Sequence, residues 1–454
     1  MTIAPKEILQ APSREWQTYS EYKDSEVAWL EELPAQWHIE PLKSIALFVS
    51  RGNGPEYVEY SSIPIINQAC IHWDGLHLDH VKYQRDSDVS GWKGFLHQGD
   101  LMMNSTGTGT LGRAAIFAAD GAYLADSHVT IIRVASHRYS TAYLRYLIST
   151  TLYQGYVYSA LVSGSTNQIE LSRDGLRSMP LISPPLSEQR AISTFLDRET
   201  QKIDDLIAKR ERLIELLDEK RTALISRSVT KGLNPEVMMK DSGVEWLGKI
   251  PTHWKLGKLR HIARVFNGAT PSRMEPKYWM DGTVPWLSSG KVNDYVITEP
   301  SEHITKQARR ENSLPLVPRG SVLVGLVGQG KTRGMAAFLD FAACVNQNLA
   351  AVVPRVGIDG RFLHYTLETA YGYMRNYGRG GNQEALNCQI VSSMQVALPP
   401  NEEQKSIVEY LDERIHELND LGGRMREHVE KLREYRTALI SAAVTGKIDV
   451  RQEI

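Results

Sequence analysis

The sequence predicts an α/β chain of α+β character, built twice over. Two pseudo-repeated modules with twisted, mostly antiparallel sheets are separated by two long helices that form an antiparallel coiled coil. Three observations predict this. The same motifs recur in order in both halves. Two long proline-free segments carry a 3.5-residue apolar repeat. Each remaining stretch mixes short β-like runs with an amphipathic helix.

The repeat comes first because it organises everything else. "DSEVAWLEELPAQWHIEPLKSIA" (24–46) aligns with "DSGVEWLGKIPTHWKLGKLRHIA" (241–263). "PPLSEQRAISTFLD" (184–197) aligns with "PPNEEQKSIVEYLD" (399–412), and "RTALISRSVTKG" (221–232) with "RTALISAAVTGK" (436–447). The organisation read from this is an N-terminal extension (1–20), a first module (21–183), a first long helix segment (184–235), a second module (236–398) and a second long helix segment (399–454). The openings of the modules and the helix segments are alike, whereas the middles of the modules diverge. A duplication has kept its frame and changed its faces.

The first long helix starts after Pro184-Pro185, with Ser187 as a cap and Glu188 near the positive end of the helix dipole. Ile192, Leu196, Glu199, Ile203, Leu206, Arg210, Leu213, Leu217, Lys220 and Leu224 then follow in alternating steps of 4 and 3, the seam of a coiled coil. Ile407, Leu411, Arg414, Leu418, Leu421, Met425, His428, Leu432, Tyr435 and Leu439 repeat the steps, each 215 residues after its counterpart. Helices of this length span roughly 60 Å. A whole module connects them, so an antiparallel pair is expected. The polar seam positions Glu199, Arg210, Arg414 and His428 either set register or face another protein.

In the first module "SIPIIN" (62–67), "LMMNS" (101–105), "RAAIFAA" (113–119) and "VTIIRVA" (129–135) read as strands, and residues 140–157 as a helix. In the second, "TVPWLSS" (283–289), "SVLVGLVG" (321–328), "GMAAFLD" (334–340) and "LAAVVP" (349–354) occupy matching places, followed by a helix over 361–377.

The 454 residues carry a net charge of −1, which argues for no particular partner. The distribution is uneven. Residues 21–183 hold 12 Lys+Arg against 17 Asp+Glu, and residues 241–398 hold 18 against 12. The modules therefore differ in surface charge, with nucleic acid a candidate partner of the second. No apolar run of membrane-spanning length occurs, and no signal-peptide pattern opens the chain, so a cytoplasmic protein without a membrane partner is expected. Cys70, Cys344 and Cys388 are scattered and fit neither a disulfide framework nor a zinc site.

"GLVGQGKT" (325–332) matches the phosphate-binding loop pattern G-x-x-x-x-G-K-[ST]. A nucleotide site needs a helix after it, yet the following residues contain Gly334 and their copy reads as a strand. Aligning "GDLMMNSTGTGTLGR" (99–113) with "GSVLVGLVGQGKTRG" (320–334) places Asn104, Thr110 and Leu111 opposite Gly325, Lys331 and Thr332. The copies share a strand, a Gly-x-Gly turn (Gly107 and Gly109; Gly328 and Gly330) and a second strand, which is a hairpin with a glycine-rich tip. A P-loop enzyme using 325–332 is thus the disfavoured alternative. The tip is rich in residue types that contact phosphates and base edges. "SPPL" (183–186) lacks the aromatic fourth residue that amino-group DNA methyltransferases stack on a flipped base. His72, His77, His80, His97 and His128 are spread over a polar module and read as structural. No metal site and no catalytic residue is predicted.

"IPTHWKLGKLRHIARVFNGATPS", "PPLSEQRAISTFLD", "PPNEEQKSIVEYLD" and "RTALISAAVTGKIDVR" resemble the specificity subunits of type I restriction–modification enzymes, over nearly all of residues 24–451. The resemblance implies that each module is a target recognition domain reading one half of a split, asymmetric site in double-stranded DNA. It implies that the coiled coil fixes half-site spacing. It also implies no catalysis by this chain, and recruitment of two modification subunits and two restriction subunits. S-adenosylmethionine, ATP and Mg²⁺ then belong to those partners. The expected DNA contacts are Asn104, Ser105, Thr106, Thr108 and Arg113 in the first module. In the second they are Gln329, Lys331 and Arg333, with Arg273, Lys277, Ser289 and Lys291 nearby. The expected coiled-coil and partner positions are Ile192, Leu196, Ile203, Leu206, Leu213, Leu217, Leu224, Ile407, Leu411, Leu418, Leu421, Leu432 and Leu439.

Overall fold

The structure is a computed structural model that describes residues 16–107, 109–163, 169–328, 330–376 and 386–453. The chain divides into two compact units, Met1–Glu211 with Arg426–Ile454, and Arg212–Met425.

In the first unit the central sheet is antiparallel, in the spatial order Ala46–Arg51, Val129–Val134, Leu101–Asn104, Ala114–Ile116. Val129–Val134 is buried at five of its six positions, which is why it reads as a continuous apolar run. A second sheet of four short strands includes one parallel pair, Leu124–Ala125 beside Ile63–Ile66. The second unit repeats the plan. Its five-stranded sheet runs Ala263–Asn267, Leu349–Pro354, Val322–Gly325, Ala336–Leu339, Val296–Ile297, with only the last pair parallel. The predicted strands therefore form, Leu349–Pro354 over its whole predicted length and the others trimmed by a residue or more.

Each predicted amphipathic helix is two helices. Thr141–Ser149 and Thr151–Ala160 break at Thr150, whose extended backbone lets its hydroxyl cap the second helix through Tyr153 N–H. Gly360–Thr369 and Tyr371–Asn376 repeat the break.

The start and end of each module pair as a two-stranded ribbon that feeds the long helix. His38–Pro41 pairs with Pro180–Ser183, and Lys255–Lys258 with Gln395–Leu398. The first long helix runs Leu186–Lys231 and the second Asn401–Val444. The first begins at Leu186, one residue before the predicted cap Ser187. Its first turn is set by Gln189 instead: Nε2 donates to Pro184 O and Oε1 accepts from Ser140 N–H. Gln404 does the same with Pro399 O and Asp359 N–H.

Within the first unit the two long helices are antiparallel. Arg436 pairs with Asp204 at 2.9 Å and Arg433 with Glu211 at 2.8 Å, so numbering rises on one helix as it falls on the other. Ile192, Leu196, Ile203, Leu439, Ile440 and Val444 share one core with the module. In the second unit Ile225, Val229, Ile407, Leu411 and Ile415 pack with Trp254, Phe362 and Tyr365.

The seam departs from the predicted phase. Leu206, Leu213 and Leu421 are 45, 44 and 42% exposed, and Arg414 and His428 face solvent. The predicted positions Ile203, Arg210, Leu217 and Leu224 do face inward, alternating with Thr200, Ile207, Ile214 and Arg221, and 215 residues later Leu418, Met425, Leu432 and Leu439 alternate with Ile415, Gly422, Val429 and Arg436. Ile192, Leu196 and Thr200 are spaced by two consecutive steps of four, as are Ile407, Leu411 and Ile415. That extra step of four moves every second seam position by one residue, after which the alternation of 3 and 4 resumes through Ile203, Ile207, Arg210, Ile214, Leu217, Arg221 and Leu224.

Candidate nucleic-acid interface

The Gly-x-Gly segments are hairpin loops, as the repeat predicts. Leu101–Asn104 pairs with Ala114–Ile116, and Val322–Gly325 with Ala336–Leu339. Both loops close with the same bonds. Asn104 N–H donates to Arg113 O and Gly112 N–H to Asn104 O; Gly325 N–H donates to Met335 O and Gly334 N–H to Gly325 O. Gly112 and Gly334 have φ of 85° and 81°, a left-handed conformation that favours glycine. Gly112 is thus the counterpart of Gly334, and Arg113 of Met335. A gapless alignment of the two sequences sets Arg113 opposite Gly334 instead, because the second loop (326–333) is one residue longer than the first (105–111).

This geometry removes the nucleotide reading. After Thr332 the chain turns, with Met335 N–H bonded to Thr332 O, and enters an antiparallel strand where a phosphate loop requires a helix. Gly325 serves the hairpin itself: a Cβ there would lie 2.2 Å from Thr332 O.

Behind each tip stands a second shared device. Gly52 and Gly268 lie against the strand that enters the central sheet, and a Cβ would meet Ala125 O at 1.9 Å and Val345 O at 1.8 Å. The next residues, Asp126 and Asn346, are buried, and their side chains accept the N–H two residues on, at His128 and Asn348. Burial raises the Asp126 carboxyl above its ordinary range, against the opposing effect of the His128 N–H and the Tyr57 hydroxyl.

The predicted contact residues sort into three groups. Asn104 and Ser105 are fully buried, which corrects their reading as contacts. Asn104 Nδ2 donates to Gln68 O and the Ser105 hydroxyl bonds Thr130, so they hold the base of the loop. Thr106 is 8% exposed and bonds Gln68 and His128 Nδ1. The second group is engaged by carboxylates. Arg273 makes a bidentate pair with Glu302 at 2.5 and 2.6 Å, stacks 3.7 Å above Trp279, and holds the Glu302 carboxyl below its ordinary range. Lys291 bonds Asp294 and Glu299, which raise its pKa, and Lys277 lies 3.7 Å from Glu311. The third group stands at or beside the tips. Arg113 is half-buried and donates to Gly109 O at 3.1 Å, Arg333 and Ser289 are half-buried, and Lys331 is exposed. Thr108 and Gln329 lie outside the described residues.

Sequence reading missed Gln68, His128, Gln347 and Asn348, which the fold gathers beside the loops. Gln347 Oε1 accepts from Thr270, and its C=O accepts from Asn267 Nδ2. The only sequence signal for them was the recurrence of Gly52 at Gly268.

Residues 251–431 match the family described as Type I restriction modification DNA specificity domain. A putative type I restriction enzyme MjaX specificity subunit of Methanocaldococcus jannaschii is 22% identical over 441 residues, covering 95% of this chain and 97% of that protein. Residues 251–431 thus carry a domain of that family, and the chain as a whole is similar to type I specificity subunits. The EcoR124I/EcoR124II specificity subunit of Escherichia coli is 24% identical over 162 residues, 35% of this chain and 40% of that one. Two solved structures share the fold. A chain from a type I R-M system, solved for its complex assembly and conformational transition, superposes with a TM-score of 0.72 at 16% identity, covering 92% of this chain and 99% of that one. The HsdS subunit of Thermoanaerobacter tengcongensis superposes with 0.56 at 17% identity, covering 92% and 98%. The matched residues are those of a DNA specificity domain.

Proposed function

We propose that residues 21–183 and 236–398 are two target recognition domains, each reading one half of a bipartite, asymmetric duplex site. The observation that carries this is the pair of hairpins, with the same closing bonds and glycines at the base and different side chains in the loop. A reader that must change its target while keeping its fold needs that division. Lys331 is the exposed tip cation, and among the described residues it makes no ion pair. We assign it and Arg333 to base edges or phosphates, while Arg273 and Lys291 already spend their charge on carboxylates.

The long helices fix the spacing between half-sites and recruit two modification and two restriction subunits. The chain itself is non-catalytic. Those partners bring S-adenosylmethionine for adenine methylation, and ATP with Mg²⁺ for translocation and cleavage. This places the complex in the cytoplasm with the DNA. Mapping methylated sites in cells after replacing 236–398 with the corresponding module of a relative tests the reading. One half of the recognised sequence changes and the other stays; an unchanged motif overturns it.

A further inference from the structure

Both hairpin loops are held by a module helix, whose side chains donate to loop main chain. In the first unit Gln154 Nε2 donates to Gly112 O at 3.2 Å, and to Ile148 O at 2.8 Å within its own helical pair. One turn later the Tyr158 hydroxyl donates to Leu111 O at 3.1 Å. In the second unit the Tyr371 hydroxyl donates to Lys331 O at 3.1 Å, and Arg375 Nη1 to Gly330 O at 2.5 Å. In each unit the two donors are four residues apart, so they share one helix face. The helix also crowds the left-handed glycine. A Cβ on Gly112 would lie 2.3 Å from Gln154 Oε1, and one on Gly334 3.2 Å from Arg375 N.

The preceding helix of each pair, Thr141–Ser149 or Gly360–Thr369, is anchored to the long helix. Ser140 N–H and Asp359 N–H, each at a helix start, donate to Gln189 and Gln404 of a long helix at 2.8 and 2.9 Å. Tyr146 donates to Asp197 at 2.6 Å, and Tyr365 donates to Asp412. A continuous run of hydrogen bonds therefore joins long helix, module helix and hairpin loop inside each unit. A carbonyl acceptor is present whatever side chain the residue carries. Loop side chains can change without losing the bonds, so one strut serves loops of different sequence and of different length.

We infer that Gln154 and Tyr158, and Tyr371 and Arg375, are positioning residues that set the two tips for sequence reading through loop carbonyls. The inference rests on the hairpins being DNA readers. The strut fixes where the tip stands relative to the long helix of its own unit, and the tip side chains supply the base preference.

The test maps methylated motifs in cells carrying this chain with its modification subunits. Tyr371→Phe with Arg375→Met relaxes base preference about tenfold at one half-site, the effect of two ordinary hydrogen bonds, and leaves the other half-site unchanged. Gln154→Leu with Tyr158→Phe relaxes the opposite half-site. Arg375→Lys keeps a donor and retains most of the preference, which a loss of packing alone would not allow. If a double variant fails to assemble, Tyr158→Phe and Tyr371→Phe, each removing one oxygen, decide. Unchanged preference in assembled variants overturns the inference, as does an equal loss at both half-sites. Lys331→Ala with Arg333→Ala separates the two levels. If that pair shifts a half-site and the strut variants do not, only the strut falls; if that pair shifts nothing, the hairpin is no reader and the strut falls with it.

Discussion

The two units agree where the module meets the long helix and part where the module meets its target. At the joint, Gln189 and Gln404 make the same two bonds, and Tyr146–Asp197 matches Tyr365–Asp412. At the tip, a seven-position loop (105–111) with threonines faces an eight-position loop (326–333) with Lys331 and Arg333. Bonds to side chains at the joint tie residue identity to structure, so those residues stay alike in both copies. Bonds to carbonyls at the tip tie only the backbone, so identity there is free to serve recognition.

The largest expected effect tests the shared half of the comparison. Leu196→Asp or Leu411→Asp places a charge at a fully buried position and costs about 3–5 kcal/mol, read as loss of folding or of assembly with modification subunits. Leu206→Asp and Leu421→Asp change stability by less than about 0.5 kcal/mol, because these leucines are exposed. Equal losses at all four restore the predicted phase of the seam.

Gly325→Ala comes next, at about 2 kcal/mol in thermal or denaturant unfolding, because its Cβ meets a main-chain oxygen. Its counterpart already carries the side chain of Asn104 at the same hairpin position. A neutral Gly325→Ala would mean the second loop opens freely.

One of the differences between the joints predicts an acid response. Arg145 in the first unit is ion-paired with Asp197 at 3.6 Å. His364 in the second is fully buried against the rings of Tyr295, Phe338 and Tyr365. Burial, with the Arg361 and Arg221 cations nearby, lowers its pKa from 6.5 to about 3. Tyr295 is bonded to Glu368, and Asp412 to Arg361 and Tyr365, so the nearby carboxylates are engaged. The folded pKa lies below the unfolded one. The unfolded chain therefore takes up a proton below pH 6.5 that the folded chain refuses, and stability falls until about pH 3. By pH 5 the second unit loses about 2 kcal/mol, and His364→Phe flattens that dependence in urea midpoints between pH 7 and 5. An unchanged slope removes His364 as the cause.

The effect at the tip is on recognition, with the fold unchanged. Lys331→Ala costs ~1–3 kcal/mol of discrimination at one half-site if the ammonium meets a base edge. A uniform loss of affinity across sequences, with a smaller salt dependence, assigns it to phosphate.

Much of the fold is legible in the residues alone. The duplicated frame, the long helices, the hairpins and the rejection of the phosphate loop all follow from comparing the chain with itself. Local pattern decides such things, because a strand–turn–strand with glycines at its tip has few ways to fold. Other features are hidden in the sequence. Asn104 and Ser105 look like tip residues by type, yet the neighbouring strand Val129–Val134 and Gln68 bury them. Arg273 looks like a DNA contact until Glu302, 29 residues away, takes both of its terminal nitrogens.

By itself the sequence determined the family, the repeat and the extent of both long helices, since these depend on residue type at fixed spacing along one chain. Only the tertiary structure decided which helix face is the seam, which polar residues stand at the tips, and which side chains hold the loops. Those depend on residues far apart in sequence meeting in space. A two-step advance of four residues, a buried glutamine and a loop one residue longer each redirect side chains that the sequence could list but not aim.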